Sequence, residues 1–375
     1  MTSAPIEPDT GRRPLLVVGL PRSGTTWTAH VLAQAPGCTA VLEPDNEKTS
    51  APAIAAKRNL GRFPVLGADD AAPGFEQLWA WALRGAPPSR AGRAGARLVR
   101  GADADALERL VAGRPPPRLR LAGALARLPR GRLGPPVPAA PGTSVPGNRP
   151  GRLLVKSVHA VLALEWLTTR FDLDVVVVLR HPANVLASWL ELDLPDADRG
   201  LDRHPGVRAR YVDPWALPAP GPTALERAAW HVGLLSAVME DAAARHPRWL
   251  VCAHEELCRE PAAGFRRLYD ALGLPWDGGV DRALAATDAP GTGFSLQRRA
   301  AELPDAWRTR LDGGQVATLH RVLAGFPLLR SVADTADWPA TAAGTDADTD
   351  AGADADTDAG AETNTDTGCR PPAHR

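Results

Sequence analysis

Two short runs in this 375-residue chain carry the residue types and spacing needed to hold anionic oxygen. The first is Leu15-Leu16-Val17-Val18-Gly19-Leu20-Pro21-Arg22-Ser23-Gly24-Thr25-Thr26-Trp27. An apolar strand ending at Gly19, a turn of small residues and a helix opening near Thr25 would aim unpaired backbone N–H groups and the positive end of a helix dipole at one point. Gly24 lets the backbone approach an oxyanion closely, Thr25 and Thr26 add hydroxyl donors, and Arg22 adds a fixed positive charge. Gly19 and Gly24 have the spacing of a nucleotide phosphate loop, in which Lys should follow the second Gly and Ser or Thr should come next for magnesium. Here Thr25 follows, and the charge stands earlier, at Arg22. The run therefore suits a phosphate-like group without the equipment for a γ-phosphate.

The second run is Val175-Val176-Val177-Val178-Leu179-Arg180-His181-Pro182-Ala183-Asn184-Val185-Leu186-Ala187-Ser188-Trp189, again strand, tight turn and helix. Pro182 is placed to open the helix, and Ser188 shares a helix face with Asn184, four residues before it. An Arg fork at the strand end and a Ser hydroxyl eight residues on can clasp a second phosphate.

These runs need a scaffold that brings strand ends together. Five short Val- and Leu-rich runs read as buried strands: 14–19, 39–42, 152–155, 173–179 and 248–252. Their lack of alternation suits a parallel sheet covered on both faces. Helical stretches follow most of them, at 25–35, 183–191, 223–245 and 262–272, with Pro36–Gly37 and Gly273 as stops. The expected fold is α/β, a phosphate-loop-type parallel sheet of about five strands with helices on both faces. On that scaffold the loop after the first strand, Glu43 after the second, Lys156 after the third, Arg180 after the fourth and His254 after the fifth all fall beyond carboxyl ends, where open α/β sheets bind ligands.

The composition fits one domain of this kind. Hydrophobic residues make up 44% and charged residues 23%, with a formal net charge of zero, which excludes nucleic-acid binding by bulk charge. Cys38, Cys252, Cys258 and Cys369 show no metal-ligand spacing and make a poor disulfide framework. No apolar run approaches the ~20 residues of a membrane span, and no secretory leader pattern is present, so the expected location is cytoplasmic. Residues 1–13 read as a disordered leader and 14–335 as the domain. Within the domain, 84–151 forms an Arg/Pro-rich insertion or lid, and 336–375 reads as a disordered acidic tail with almost no large apolar side chains.

The Pro21-Arg22-Ser23-Gly24-Thr25-Thr26-Trp27 run, followed by Arg180 and Ser188 at their interval, resembles the sulfotransferase family, in its bacterial and carbohydrate-type branch. The resemblance implies a co-substrate, 3′-phosphoadenosine 5′-phosphosulfate (PAPS). Its 5′-phosphosulfate would lie on Arg22, Ser23, Gly24, Thr25, Thr26 and Trp27, and its 3′-phosphate on Arg180 and Ser188. The segment from Val251 to Pro261 is similar to the family's Tyr-Glu-Asp-Leu stretch, with His254 at the Tyr position near the adenine. Trp307-Arg308 is similar to a C-terminal Trp-Arg pair, and either Arg298 or Arg299 is a further candidate for the 3′-phosphate. Glu43-Pro44 resembles the Glu-Pro that supplies a proposed base in many members, whereas His159 resembles a Lys-x-His pattern one residue too long. Sulfuryl transfer needs cations for the bridging oxygen, and Lys156 and Arg22 are the candidates. The implied reaction passes a sulfuryl group to a hydroxyl of a small-molecule, lipid or carbohydrate acceptor, with no metal and no nucleic acid. The alternatives are a nucleotide-dependent kinase and a nucleotide-binding relative without turnover.

Overall fold

The computed structural model describes residues 13–47, 50–85, 152–194, 200–293 and 295–327. The expected leader up to residue 12, nearly all of the 84–151 segment and the acidic tail lie outside the described residues. Five parallel strands form one sheet: β1 (Leu15–Gly19), β2 (Thr39–Leu42), β3 (Leu153–Ser157), β4 (Asp174–Leu179) and β5 (Leu250–Ala253), in the order β2-β3-β1-β4-β5. The helices that matter for the site are α1 (Thr25–Leu32), α2 (Ala51–Ala56), α3 (Pro73–Ala82), α4 (Leu164–Arg170), α5 (Pro182–Glu191), α6 (Ala224–Arg245), α7 (His254–Arg259), α8 (Pro261–Leu272), α9 (Gly278–Thr287), α10 (Trp307–Arg310) and α11 (Gly313–Leu323).

The sheet is buried on both sides, which is why its strands read as continuous apolar runs. Side chains alternate between two cores with the two-residue period of a strand. Leu16, Val18, Val155, Val175 and Val177 pack on one face with α3, α4, α5, α6 and α11. Leu15, Val17, Leu154, Val176 and Val178 pack on the other with α1, α8 and α9. β1 lies at the centre, paired with β3 through Leu16↔Val155 and with β4 through Gly19↔Val178. The loop leaving β1 is thus flanked by whatever follows β3 and β4.

The expected elements are present with shifted ends. β3 runs on through Lys156 and Ser157 because both continue the ladder, Lys156 opposite Val17 and Leu42, and Ser157 opposite Val18. α1 stops at Leu32, not Ala35: Gln34 and Ala35 donate to carbonyls three residues back, at 3.0 and 3.2 Å. That tighter winding precedes Pro36, whose ring disfavours a helical residue before it. α6 opens as expected, with Thr223 and Glu226 forming a capping box. No described helix is long and apolar enough to cross a membrane.

Candidate active site

The loop from Leu20 to Gly24 is held in an unusual backbone shape. Arg22 has φ 74° and Gly24 has φ 91°. A non-glycine residue held there costs on the order of 1–3 kcal/mol, so the surroundings must impose it. They do so through the second predicted run: Trp189 Nε1 donates to the Pro21 carbonyl at 2.9 Å, Arg180 donates to the Arg22 carbonyl at 2.7 Å, and Arg22 Nε donates to Ser188 Oγ at 2.8 Å. The two sequence motifs are therefore one structure, with β4 and α5 clamping the loop of β1. The glycines are required by close approach. A Cβ on Gly19 would stand 2.4 Å from Ser23 Oγ and 2.7 Å from the Val178 carbonyl, and one on Gly24 would stand 2.0 Å from His254 Cδ2.

Gly24→Ala consequently combines a clash with a disfavoured φ and should lower stability by roughly 1–3 kcal/mol in denaturant unfolding. Adding His254→Ala removes the clash but not the strain, so the double variant should recover only part of the loss. Full recovery, or no loss at all, would show that the backbone shape is not what Gly24 provides.

Arg22, Arg180, Arg298 and Arg310 converge on one end of a cavity of about 810 Å³ at the carboxyl edge of the sheet. Arg22 and Arg298 both donate to the Gly293 carbonyl, at 2.9 and 2.8 Å. Burial, then the charges of Arg180 and Arg298, bring the Arg22 guanidinium down to about 9, so it remains cationic at neutral pH. Burial also lowers Arg180, against the raising effect of Glu255, whose carboxylate is 4.0 Å from Arg180 Nε. Glu255 is itself fixed, accepting from the His181 N–H and from Asn184 Nδ2, both at 3.1 Å. Like charges packed this closely repel one another, and a polyanion placed among them would relieve that repulsion.

His254 opens α7 with its ring against Gly24 and edge-on to Trp27, centroids 5.9 Å apart. Burial and the charges of Arg180 and Arg22 hold it well below its ordinary pKa, so it is neutral. Of the two C-terminal candidates, Arg298 lines the cavity, whereas Arg299 is exposed and pairs with Glu302. Trp307 is buried and stacks on His181, centroids 5.5 Å apart.

At the other end of the cavity, Glu43 follows β2 in a left-handed conformation, φ 48°. Its Oε1 accepts from Lys156 Nζ and its Oε2 from the Val158 N–H at 3.2 Å, with both charged side chains buried. The expected base and the expected cation thus form one ion pair. Asp45 lies beside them, fully buried, with Ser157 Oγ donating to its carboxylate at 2.8 Å. Burial, opposed by Lys57 and reinforced by Glu43, pushes Asp45 up to about 7. His159 Nε2 accepts from Arg62 Nε at 3.3 Å, and burial with the charges of Lys57, Arg62 and Lys156 holds the ring well below its ordinary pKa. Glu43, Asp45 and His159 each offer an atom within 4.8 Å of the others. A divalent cation placed among them would compete with Lys156 for Glu43 and face the positive charges of Lys57 and Arg62.

All the predicted site residues except Ser23 and the alternative Arg299 line this cavity. Ser23 is buried beneath the loop, facing Gly19, and its N–H is bonded to the Leu20 carbonyl at 3.0 Å. Asp45, Lys57, Arg62 and Glu255 escaped the sequence reading. Asp45 stood two residues from Glu43, and Lys57 is one of three lysines in the chain, which were the available signals.

The structure is similar to the sulfotransferase domain of the olefin synthase of Synechococcus PCC 7002, at 15% identity and TM-score 0.39, covering 84% of this chain and 97% of that one. It is also similar to the sulfotransferase STF9 of Mycobacterium avium, at 18% identity and TM-score 0.37, covering 86% of this chain and 76% of that one. No curated protein matches. The profile of the sulfotransferase family matches residues 14–278, the stretch that holds both strand–loop–helix runs and the Glu43–Lys156 ion pair, and the chain belongs to that family.

Proposed function

We propose that the chain moves a sulfuryl group from PAPS to a hydroxyl of a small-molecule, lipid or carbohydrate acceptor, in the cytoplasm and by in-line displacement. The observation that carries this reading is the contact of Arg22, Arg180 and Ser188 around the β1 loop. It gathers cationic and hydroxyl groups from two strands at a loop that lacks the kinase lysine. The donor's 5′-phosphosulfate would lie on the loop and on α1, and its 3′-phosphate on Arg180, Ser188 and Arg298. His254 and Trp27 would flank the nucleotide.

The acceptor oxygen attacks sulfur from the Glu43 end. Its bond to sulfur forms as the bond from sulfur to the bridging phosphate oxygen breaks, the acceptor proton passes to Glu43, and 3′-phosphoadenosine 5′-phosphate (PAP) leaves. Arg22 and Lys156 stabilise the charge on the bridging oxygen. Glu43 suits the base better than His159: a carboxylate retains lone pairs after accepting from Lys156 and Val158, whereas the His159 Nε2 lone pair is directed at Arg62.

A kinase fits less well. Lys156 near the end of β3 and Arg180 just after β4 stand where a magnesium-binding carboxylate would be needed. The test is incubation of the full chain with sulfur-labelled PAPS and a panel of sugars, sterols and phenols. Label transferred to a hydroxyl, with stoichiometric PAP release, is the expected result. Label transfer abolished in the wild type but phosphoryl transfer from magnesium-ATP present would move the chain to the kinase reading.

A further inference from the structure

Lys57 does not line the cavity, yet its ammonium is fully engaged beside it. It follows α2, its side chain has no exposed surface, and its ammonium has three partners from two segments of the chain. Nζ donates to the Asp45 carbonyl at 2.9 Å and to the Arg62 carbonyl at 2.5 Å, and it pairs with Glu47 Oε1 at 2.9 Å. An ammonium carries three donors, so this arrangement satisfies it fully. The residues it joins are those that shape the acceptor end. Glu43, Asn46, Glu47 and Arg62 all face the cavity, and Arg62 in turn donates to His159.

We propose that Lys57 is a positioning residue: it ties the 43–47 loop to the Arg62 turn and thereby sets where Glu43, Glu47 and Arg62 stand on the cavity wall. The choice of residue supports this. The chain has 43 lysines and arginines together but only three lysines, and two of those three, Lys57 and Lys156, are buried at this one end of the cavity. A compact ammonium can meet three separately placed oxygens in a space that a planar guanidinium does not fit.

The buried charge has an electrical consequence as well. His159 faces Lys57, Arg62 and Lys156 as cations and the carboxylates of Glu43 and Asp45. Lys57 lowers both Asp45 and His159, which favours an ionised carboxylate and a neutral imidazole beside Glu43. Removing it should let both rise.

The test follows His159 by NMR of its ring carbon-bound proton across pH in the full chain, assigned with His159→Gln. In Lys57→Met, the His159 midpoint should move up by about 1 pH unit, the size expected for loss of one neighbouring like charge. Lys57→Arg retains the charge and should leave the midpoint close to that of the wild type, while altering the chemical shifts of the 43–47 loop. A folded Lys57→Met chain with an unmoved midpoint would overturn the proposal. So would a wild-type His159 that titrates at the ordinary imidazole value, a measurement that stands even if Lys57→Met fails to fold. The proposal rests on the sulfotransfer reading for its role in turnover, and titration of PAP onto the same samples separates the two. PAP that fails to bind the wild type undermines the donor site and leaves the His159 result untouched.

Discussion

Glu43→Gln should lower the rate of sulfuryl transfer by about 100- to 10,000-fold, the usual contribution of a general base, while PAP affinity stays near that of the wild type. The split follows from geometry. Glu43 stands at the opposite end of the cavity from the arginine cluster, so the amide removes the proton acceptor without touching the groups that would hold the nucleotide. The substitution also leaves Lys156 buried without its carboxylate, and breaking a buried pair from one side costs on the order of 3–5 kcal/mol. Stability must therefore be measured alongside turnover. The double variant Glu43→Gln with Lys156→Met removes the stranded charge and should regain much of the stability but none of the rate. His159→Gln should lower the rate far less, because that ring is neutral and its Nε2 already accepts from Arg62. If the order is reversed, with His159→Gln the crippling change and Glu43→Gln mild, the base has been assigned to the wrong residue.

Arg180→Ala should weaken PAP binding by about 30-fold or more, since loss of one partner of a desolvated charge pair costs roughly 2–5 kcal/mol. Two contributions combine. Arg180 is the buried cation proposed to face the 3′-phosphate, and its bond to the Arg22 carbonyl holds the left-handed turn of the β1 loop. Ser188→Ala should cost less, because it removes one neutral hydroxyl that accepts from Arg22 while leaving the guanidiniums in place. Calorimetric titration of each variant with PAP checks the ranking. An Arg180→Ala chain that binds PAP as tightly as the wild type would place the 3′-phosphate elsewhere, with Arg298 and Arg310 the next residues to replace.

Much of this architecture was legible in the sequence because strand ends and ligand residues coincide along the chain. The β1 loop and the β4–α5 junction each combined an apolar run, a turn residue and a polar anchor, so position and chemistry were read from the same few residues. That Arg22 would be clasped by Ser188, 166 residues later, was not legible, since spacing along the chain carries no record of which strand ends meet. In the sequence Lys156 and Glu43 stand as independent actors, and only the β2–β3 register, Leu42 opposite Lys156, makes them partners. Asp45, Lys57 and Arg62 come from a stretch with little periodic signal. Their roles arise from burial and charge compensation, which residue identity alone does not express. Ser23 shows the converse: its type suited the loop, but the close packing over Gly19 turns its hydroxyl inward.

The arginine-lined end of the cavity should take a 3′,5′-bisphosphate nucleotide rather than a nucleoside triphosphate with magnesium. Calorimetric titration of the unaltered full chain with PAP, and separately with magnesium-ATP, tests it most directly. Saturable binding of PAP is expected, with a stabilisation of about 2.7 kcal/mol at ~100 times its dissociation constant, and much weaker binding of magnesium-ATP. Tight binding of magnesium-ATP with none of PAP would contradict it.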